Sequence, residues 1–314
     1  GSKIFAKEGK EMPLINSYAL WNSKGGVGKS TISFHLSMRY AETHPNEKIL
    51  VIDLCPQSNS SMMLLGGGTV GDERVIELCS RAVPKSVVGY VSTVITNGRG
   101  AKLPNPHDFL VHVNDYNKGA PNNLYLLCGD GNMEPMAPAI NEAASAKALT
   151  PAAQPWKWVI EIFKNFVADL ADNEDNWMVF VDTNPSFSIY TQMAVVAVNR
   201  LLTPINADDS SKTAASAMVA LLHGTNPLHP IYGSWTFAEV AKKQGVCVPK
   251  IHLLIGNRLT QFDGPAKAFA ALSDATASAL YDIYVKNTDY FVPPTVQINN
   301  KDKFREYYSI PLRD

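Results

Sequence analysis

The chain has 314 residues, of which 46% are apolar and 18% are charged, and this composition excludes an intrinsically disordered protein. Its 28 Lys and Arg against 29 Asp and Glu give a formal net charge of −1. That balance excludes a strongly basic nucleic-acid binder but not a small local basic patch. The sequence contains no run of 18 apolar residues, so no membrane-spanning helix is predicted.

The four cysteines are scattered and form neither a CxxC pair nor a zinc-finger spacing with histidine. Isolated thiols of this kind are typical of a reducing compartment. Because the sequence also shows no signal-peptide pattern, we expect a cytoplasmic protein. Gly1 and Ser2 are interpreted as a tag remnant.

Short apolar strands alternate with amphipathic helices along the chain. The predicted strands cover residues 18–21, 48–53, 124–127, 177–182, 200–205 and 251–255. The predicted helices cover residues 29–42, 156–170, 189–198, 211–222 and 265–281. Strands that are apolar almost throughout, and are separated by helices, indicate a parallel sheet covered on both faces. We therefore predict an α/β fold with a doubly wound, mostly parallel sheet.

Two segments interrupt this alternation. Residues 66–123 are rich in Gly, Pro and Asn, with one predicted helix at about 85–95, and residues 129–155 are rich in Ala and Pro. We interpret both segments as elaborations of a single domain that spans residues 3–314.

The strongest motif lies between the first predicted strand and the first predicted helix. It has the sequence Ser23-Lys24-Gly25-Gly26-Val27-Gly28-Lys29-Ser30-Thr31. Glycines let the backbone turn tightly and aim successive N–H groups at phosphate oxygens, and the helix start adds a positive dipole end. Lys29 has the position of a lysine that reaches the β- and γ-phosphates, and Ser30 has that of a Mg²⁺ ligand. The alternative is a glycine-rich turn without a ligand.

Two predicted strands end in an acid, Asp53 and Asp182. In a doubly wound sheet, ligands bind beyond the carboxyl ends of the strands, so these two side chains are expected in one crevice. A carboxylate there would hold a water on Mg²⁺, because this ion takes oxygen ligands and keeps several waters. The alternative for Asp182 is a cap on the following helix.

With these motifs in place, the sequence resembles the ParA/MinD family of ATPases with a deviant phosphate loop. Residues 24–30 resemble that loop, in which Ser23 replaces the first glycine of the general GxxxxGK[ST] pattern. Residues 53–59 resemble the family's Asp-x-Asp-Pro-Gln-x-Asn motif, residues 179–186 its Walker B strand, and residues 255–258 its Asn-Arg segment. The Pro-Gln-x-Asn run favours the ParA partition branch.

The resemblance implies binding of ATP or ADP with Mg²⁺. The loop residues that would contact the nucleotide are Gly25, Gly26, Val27, Gly28, Lys29, Ser30 and Thr31. It assigns the metal to Ser30, Asp53 and Asp182, and the catalytic roles to Lys24, Lys29, Asp53 and Asp182. By the same resemblance, Lys24 reaches the phosphates bound by the partner subunit of an ATP-sandwich homodimer. Asn257 and Arg258 would lie beside the adenine; the alternative for them is a surface turn.

Cys55 departs from the family pattern, which has a second Asp at this position. The resemblance assigns that Asp to the attacking water, and a thiol is a weak hydrogen-bond acceptor. Because phosphoryl transfer depends on orienting the nucleophile, we expect slow ATP hydrolysis or the use of another acid. Asp208 and Asp209 follow the strand ending at residue 205 and are the candidate substitutes.

The resemblance further implies nonspecific DNA binding in the ATP state and a ParB-like adaptor. The candidate DNA contacts are Lys267, Lys286, Lys301, Lys303 and Arg305, although acids nearby make a solvated face an equal alternative. No membrane helix is expected at the C-terminus, because it is short and contains Pro311. The expected function is partition of a plasmid, a chromosome or another cargo over a bacterial nucleoid. The alternatives are a nucleotide switch with little catalysis and a metabolic transferase or ligase.

Overall fold

The structure is a computed structural model that divides into two compact units. The first comprises residues 1–19 and 30–199, and the second comprises residues 20–29 and 200–314. The residues that the structure describes are 6–7, 10–11, 16–148, 150, 153–171, 176–206, 210–225, 227–257 and 265–311.

Five strands of the first unit form a mostly parallel sheet. In chain order, the strands of this unit are β1 (Ala6–Lys7), β2 (Lys10–Glu11), β3 (Asn16–Leu20), β4 (Lys48–Leu54), β5 (Val111–His112), β6 (Leu124–Leu127) and β7 (Trp177–Thr183). The sheet order is β3-β7-β4-β6-β5; β4 pairs parallel with β6 and β7, whereas β5 pairs antiparallel with β6. Strands β1 and β2 form a separate antiparallel pair.

Helices of the first unit connect and cover these strands. They are α1 (Lys29–Thr43), α2 (Asn59–Leu64), α3 (Gly68–Cys79), α4 (Val87–Asn97), α5 (Val113–Tyr116), α6 (Met133–Ser145), α7 (Pro155–Ile160), α8 (Ile162–Ala171) and α9 (Ile189–Val196). Successive residues of β4 from Ile49 to Leu54 are all buried. A strand whose side chains are buried on both faces needs a cover on both sides of the sheet, which explains its unbroken apolar sequence.

The second unit contains three parallel strands and four α-helices among its described residues. The strands β8 (Arg200–Asn206), β9 (Lys250–Asn257) and β10 (Ser309–Pro311) lie in the order β10-β9-β8. The helices are α10 (Ser210–His223), α11 (Phe237–Gln244), α12 (Pro265–Lys286) and α13 (Lys301–Tyr308). Tyr284, Phe291, Phe304 and Tyr308 pack ring against ring, with centroids 4.9 to 5.9 Å apart, and give this unit an aromatic core.

The prediction of an α/β fold with a mostly parallel sheet is confirmed, since each predicted strand and helix has a counterpart. Two corrections concern helices. The predicted helix 156–170 is interrupted at Glu161, which separates α7 from α8. Helices α3, α5 and α6, which lie in the two elaborations, were not predicted, and neither were α2, α11 and α13. None of the helices within the described ranges is both long and apolar enough to cross a membrane.

Candidate functional site

The phosphate-loop motif forms the turn between β3 and α1. Gly26 and Gly28 have φ angles of 71° and 81°, a backbone conformation that side chains with a Cβ rarely adopt. Lys29 is the first residue of α1, so the helix begins directly after the last glycine. Residues 25 and 26 are exposed, which leaves the backbone of the turn accessible to a ligand.

Within the second unit, hydrogen bonds anchor the start of this loop to β8. The Trp21 backbone N–H donates to the Leu202 carbonyl at 3.1 Å, and the Asn22 side chain donates to the Pro204 carbonyl at 2.7 Å. The Asn22 amide oxygen in turn accepts the Lys24 backbone N–H at 3.0 Å. The position of the loop is therefore fixed by a buried asparagine side chain, which the motif did not include.

Lys29 is largely buried, with 7% of its surface exposed. Its Nζ donates to the Lys24 carbonyl at 3.4 Å, within the loop itself. This contact holds the ammonium group inside the turn, where a phosphate oxygen can take the carbonyl's place. Ser30 and Thr31 follow in the first turn of α1, with Ser30 partly buried and Thr31 exposed.

Asp53 and Asp182 face each other across two paired strands of the first unit. Their Cα atoms are register partners on β4 and β7, and both side chains are fully buried. Asp53 Oδ2 accepts hydrogen bonds from the Ser61 backbone N–H at 2.8 Å and the Ser61 hydroxyl at 2.7 Å. Its Oδ1 accepts the Cys55 backbone N–H at 3.1 Å. We call Asp53, Asp182, Ser60, Ser61 and Gly129 the acid–serine cluster.

The charge of Asp182 influences the protonation of Asp53. Burial, followed by the charge of Asp182, raises the pKa of Asp53 to about 7, although hydrogen bonds from Ser61 and Cys55 act in the opposite direction. A nearby cation would favour the charged form of both carboxylates. The pair is therefore a site at which a positive ion is favourable.

Ser60 connects Asp182 to the helix that follows the phosphate loop. Its hydroxyl donates to Asp182 Oδ2 at 2.7 Å and lies 3.4 Å from the Ser30 carbonyl oxygen. Carboxylate and hydroxyl oxygens are the protein ligands that Mg²⁺ prefers, so the donor set of Ser30 and Asp182 fits this ion. Asp53 is the less suitable Mg²⁺ ligand, because both its carboxylate oxygens already accept hydrogen bonds.

Gly129 closes the acid–serine cluster. Its backbone N–H donates to the Ser61 hydroxyl at 2.8 Å. A Cβ at this position would lie 2.7 Å from Ser58 Oγ and 3.0 Å from the Asp53 carboxyl carbon, so only glycine fits here without movement. Ser60, Ser61 and Gly129 were not among the predicted site residues, since no local motif distinguishes them.

The remaining predicted residues are only partly covered by the described chain. Asn257 ends β9, with Asn206 at the end of β8 as its register partner. Arg258, Asp208 and Asp209 lie outside the described residues. Cys55 is buried directly after β4, at the position where its backbone N–H meets Asp53.

Comparison with known proteins identifies the fold. The AAA domain family model matches residues 16–101, which include the phosphate loop and the Asp53 motif. The structure of pnob8 ParA superposes with a TM-score of 0.57 at 16% identity, covering 96% of this chain and 82% of that chain. The chain has the ParA-like P-loop NTPase fold. The fold that the motifs led us to expect is thereby confirmed.

Two other solved structures share this fold. McdA from Cyanothece in complex with ATP matches with a TM-score of 0.54 at 16% identity, covering 83% of this chain and 79% of that chain. Cobyrinic acid a,c-diamide synthase from Mycobacterium smegmatis, with a bound ATP analogue and magnesium, matches with a TM-score of 0.50 at 17% identity, covering 93% and 92%. No protein of curated function shows significant sequence similarity to the chain.

Proposed function

We propose that this protein is a Mg²⁺-dependent ATPase of the ParA type, which dimerises around ATP and positions DNA or another cargo. The observation that carries the proposal is the Ser60 hydroxyl, which reaches the carbonyl of Ser30 and the carboxylate of Asp182 together. It brings the backbone of the residue after the loop lysine near the Walker B acid. The Ser30 hydroxyl and the Asp182 carboxylate are oxygen ligands of the kind that a Mg²⁺–phosphate site uses.

Each residue of the loop has a role in this proposal. The backbone N–H groups from Gly25 to Thr31 would bind the phosphates, and Lys29 would stabilise the charge that develops on the γ-phosphate. Ser30 and Asp182 would hold Mg²⁺, which would neutralise phosphate charge when bound. Asp53, kept in place by Ser61, would remain a second carboxylate beside them. Asn257 and Arg258 would contact the adenine.

Lys24 would act across a homodimer, on the phosphates bound by the partner subunit. The comparison structures carry the same fold at low identity, and one of them is a ParA. The test is size-exclusion chromatography with light scattering in the apo, ADP and ATP-analogue states. We expect a doubling of the 34.3 kDa mass with the ATP analogue alone. Lys24→Ala should abolish the doubling, and the exposed Lys118→Ala should leave it unchanged.

Hydrolysis is proposed to be slow because Cys55 stands where the family has an acid. Steady-state phosphate release should rise in Cys55→Asp, since a carboxylate orients water better than a thiol. Asp208→Ala tests the substitute acid and should lower turnover further. Turnover as fast as that of an ordinary partition ATPase, together with no effect of Asp208→Ala, would contradict slow hydrolysis and the substitute acid.

Nonspecific DNA binding is proposed for the ATP dimer only. Of the candidate contacts, Lys303 pairs with Glu306 at 2.8 Å and Arg305 lies 3.8 Å from Asp302, so little unpaired positive charge is offered there by one protomer. Two protomers joined by ATP would double any patch that each one carries. A gel shift with duplex DNA should therefore require the ATP analogue. Equal DNA affinity in the apo state would contradict the proposal that only the ATP dimer binds DNA.

A second candidate is a nucleotide switch that signals by association and hardly hydrolyses ATP. Cys55 is the observation that favours it. The two candidates differ in one measurement, which is turnover in the presence of DNA and a stimulating adaptor. A dimer that forms with ATP but stays at background turnover under those conditions would favour the switch.

A further inference from the structure

A cleft of about 820 Å³ opens in the second unit. It lies between the C-terminal half of α10, helix α11 and the C-terminal end of α12, and we call it the α10–α12 cleft. Its volume falls in the range of ligand-binding pockets. None of its lining residues belongs to the candidate nucleotide site, so the proposed ATPase activity gives it no role.

The floor of the cleft contains an aromatic pair with a polar atom that lacks a partner. The rings of His223 and Tyr290 stack at a centroid distance of 4.1 Å and an angle of 9°. His223 Nε2 is buried and has no hydrogen-bond partner among the residues that the structure describes. Buried polar atoms are nearly always hydrogen-bonded, so this nitrogen is an exception among the described residues that line the cleft.

The connection between α10 and α11 exposes large apolar side chains. Leu228 lines the cleft, and Ile231, Tyr232 and Trp235 follow it along the chain, with 72% of Ile231 and 74% of Trp235 exposed. Several exposed apolar side chains in one short segment are typical of an interaction surface, and Trp and Tyr are the residue types that dominate binding energy there.

Residues 229–235 of this connection form hydrogen-bonded turns. The Gly233 N–H donates to the His229 carbonyl at 2.9 Å, and the Trp235 N–H donates to the Tyr232 carbonyl at 2.9 Å. The rings of His229 and Tyr232 stack at 3.8 Å. The apolar side chains are therefore presented by a folded backbone, which lowers the entropy lost on binding.

The charges that line the cleft have mainly one sign. Lys242 and Lys286 line it together with a single acid, Glu239, and the exposed Lys243 adds a further positive charge next to Lys242. Burial and the nearby Lys250 lower the pKa of His223 to about 4, so the floor is uncharged at neutral pH. A ligand that complements this cleft carries carboxylates opposite the lysines and apolar groups opposite Leu228 and Trp235.

We propose that the α10–α12 cleft is a docking site for an acidic, apolar segment of a partner protein. The apolar side chains of the segment cover Leu228 and Trp235, and its carboxylates pair with Lys242 and Lys286. A nucleic acid is a poorer match, because a phosphate backbone supplies no apolar side chains for the exposed rim and meets Glu239 in the lining.

The test uses a short fluorescein-labelled peptide in which Leu and Phe alternate with Glu. Two matched peptides serve as controls, one with Lys in place of Glu and one with Ser in place of Leu and Phe. In fluorescence anisotropy, the acidic apolar peptide should bind the full chain at least about tenfold more tightly than either control, which corresponds to about 1.4 kcal/mol. Equal binding of the three peptides, or no binding of any, would overturn the proposal.

Variants of the full chain then test whether the peptide binds at the α10–α12 cleft. The double variant Lys242→Glu, Lys286→Glu should bind the acidic apolar peptide at least about tenfold more weakly than wild type. Trp235→Ala should lower the affinity for this peptide by a similar factor. The control Lys118→Glu reverses an exposed charge in the first unit and should change affinity by less than about twofold. An equal loss in this control, or tighter binding of single-stranded DNA than of the peptide, would contradict the proposal.

Binding of an ATP analogue and the midpoint of thermal unfolding are measured on the same samples. We expect both to be unchanged in the cleft variants, because no substituted residue belongs to the loop or the acid–serine cluster. Failure of the ATPase proposal would appear in the ATP-analogue binding of the wild type. Failure of the docking proposal would appear only in the peptide affinities, so the two outcomes are distinguishable.

Discussion

One polar group of the first unit and two polar sites of the second are held in different ways. In the first unit, Asp53 receives three hydrogen bonds from the protein itself, and Gly129 donates to the serine that supplies two of them. In the second unit, the phosphate-loop backbone at Gly25 and Gly26 is exposed, and His223 Nε2 is buried without a partner in the described part of the chain.

This difference predicts which substitutions change the stability of the protein and which change its affinity for a ligand. Polar groups that are satisfied within the fold contribute to the free energy of unfolding. Groups that are exposed or lack a partner are available to contribute when a ligand arrives. Substitutions in the acid–serine cluster should therefore change stability, whereas substitutions in the loop should change affinity with little effect on stability.

The loop lysine should give the largest effect. Lys29→Met keeps the apolar stem, which is mostly buried, and removes the ammonium group that would meet the phosphates. Charge-assisted hydrogen bonds are the strong ones, so ATP-analogue affinity should fall by a factor of about 100 or more, roughly 3 kcal/mol. Isothermal titration calorimetry measures this loss, and Lys118→Met should show none. Normal affinity in Lys29→Met would contradict a phosphate role for the loop.

Gly129 tests the closed packing of the first unit. Gly129→Ala inserts a methyl group against Ser58 Oγ and the Asp53 carboxylate, and should lower the free energy of unfolding by up to about 3 kcal/mol. Denaturant titration measures this loss in the free energy of unfolding. Gly131→Ala is the matched control, because a Cβ there meets nothing within 4 Å. If both variants have the same free energy of unfolding, Gly129 is not as tightly packed against Ser58 and Asp53 as its contacts indicate.

His223 tests a group of the second unit by pH. Burial lowers the pKa of His223 to about 4 in the folded protein. Between pH 6.5 and pH 4, His223 is therefore protonated in the unfolded chain but mostly neutral in the folded protein. Its contribution to stability is therefore present above pH 6.5 and is lost as pH falls towards 4. Between pH 7 and pH 5, wild type should lose about 2 kcal/mol more stability than His223→Gln.

The control for this pH series is His229→Gln, which replaces an exposed histidine of the same unit. Thermal unfolding of the three proteins at pH 5 and pH 7 makes the comparison. Identical slopes for wild type and His223→Gln would mean that His223 is solvated in solution.

Ser61 should give the smallest effect of the four. Ser61→Ala removes the hydroxyl that donates to Asp53 and accepts from the Gly129 N–H, and should cost about 1 kcal/mol in the free energy of unfolding. Ser80→Ala removes an exposed hydroxyl that bonds to the nearby Ile76 carbonyl, and should cost less than about 0.5 kcal/mol. Chemical denaturation resolves the two, and equal losses would show that Ser61 does not support Asp53.

The long apolar strands were easier to predict than the helices of the two elaborations. Strands β4 and β7 are continuous apolar runs, and burial on both faces of a sheet gives that pattern directly. Helix α6 was missed because it contains Pro138 and lies in an Ala- and Pro-rich segment; burial of Met133 and Ile140 holds it in place. The break at Glu161 was missed because helical periodicity continues through it.

The sequence by itself determined the phosphate loop and the ends of the strands that carry Asp53 and Asp182. Both depend on neighbouring residues, since glycine conformation, the lysine offset and apolar runs act over short distances along the chain. Only the tertiary structure decided the surroundings of the acids. Ser61 lies 8 residues from Asp53, Gly129 lies 68 residues from Ser61, and Asp182 lies 122 residues from Ser60. Hydrogen bonds over such separations depend on how β4, β6 and β7 pair, and side-chain partners set by pairing leave no local pattern in a sequence.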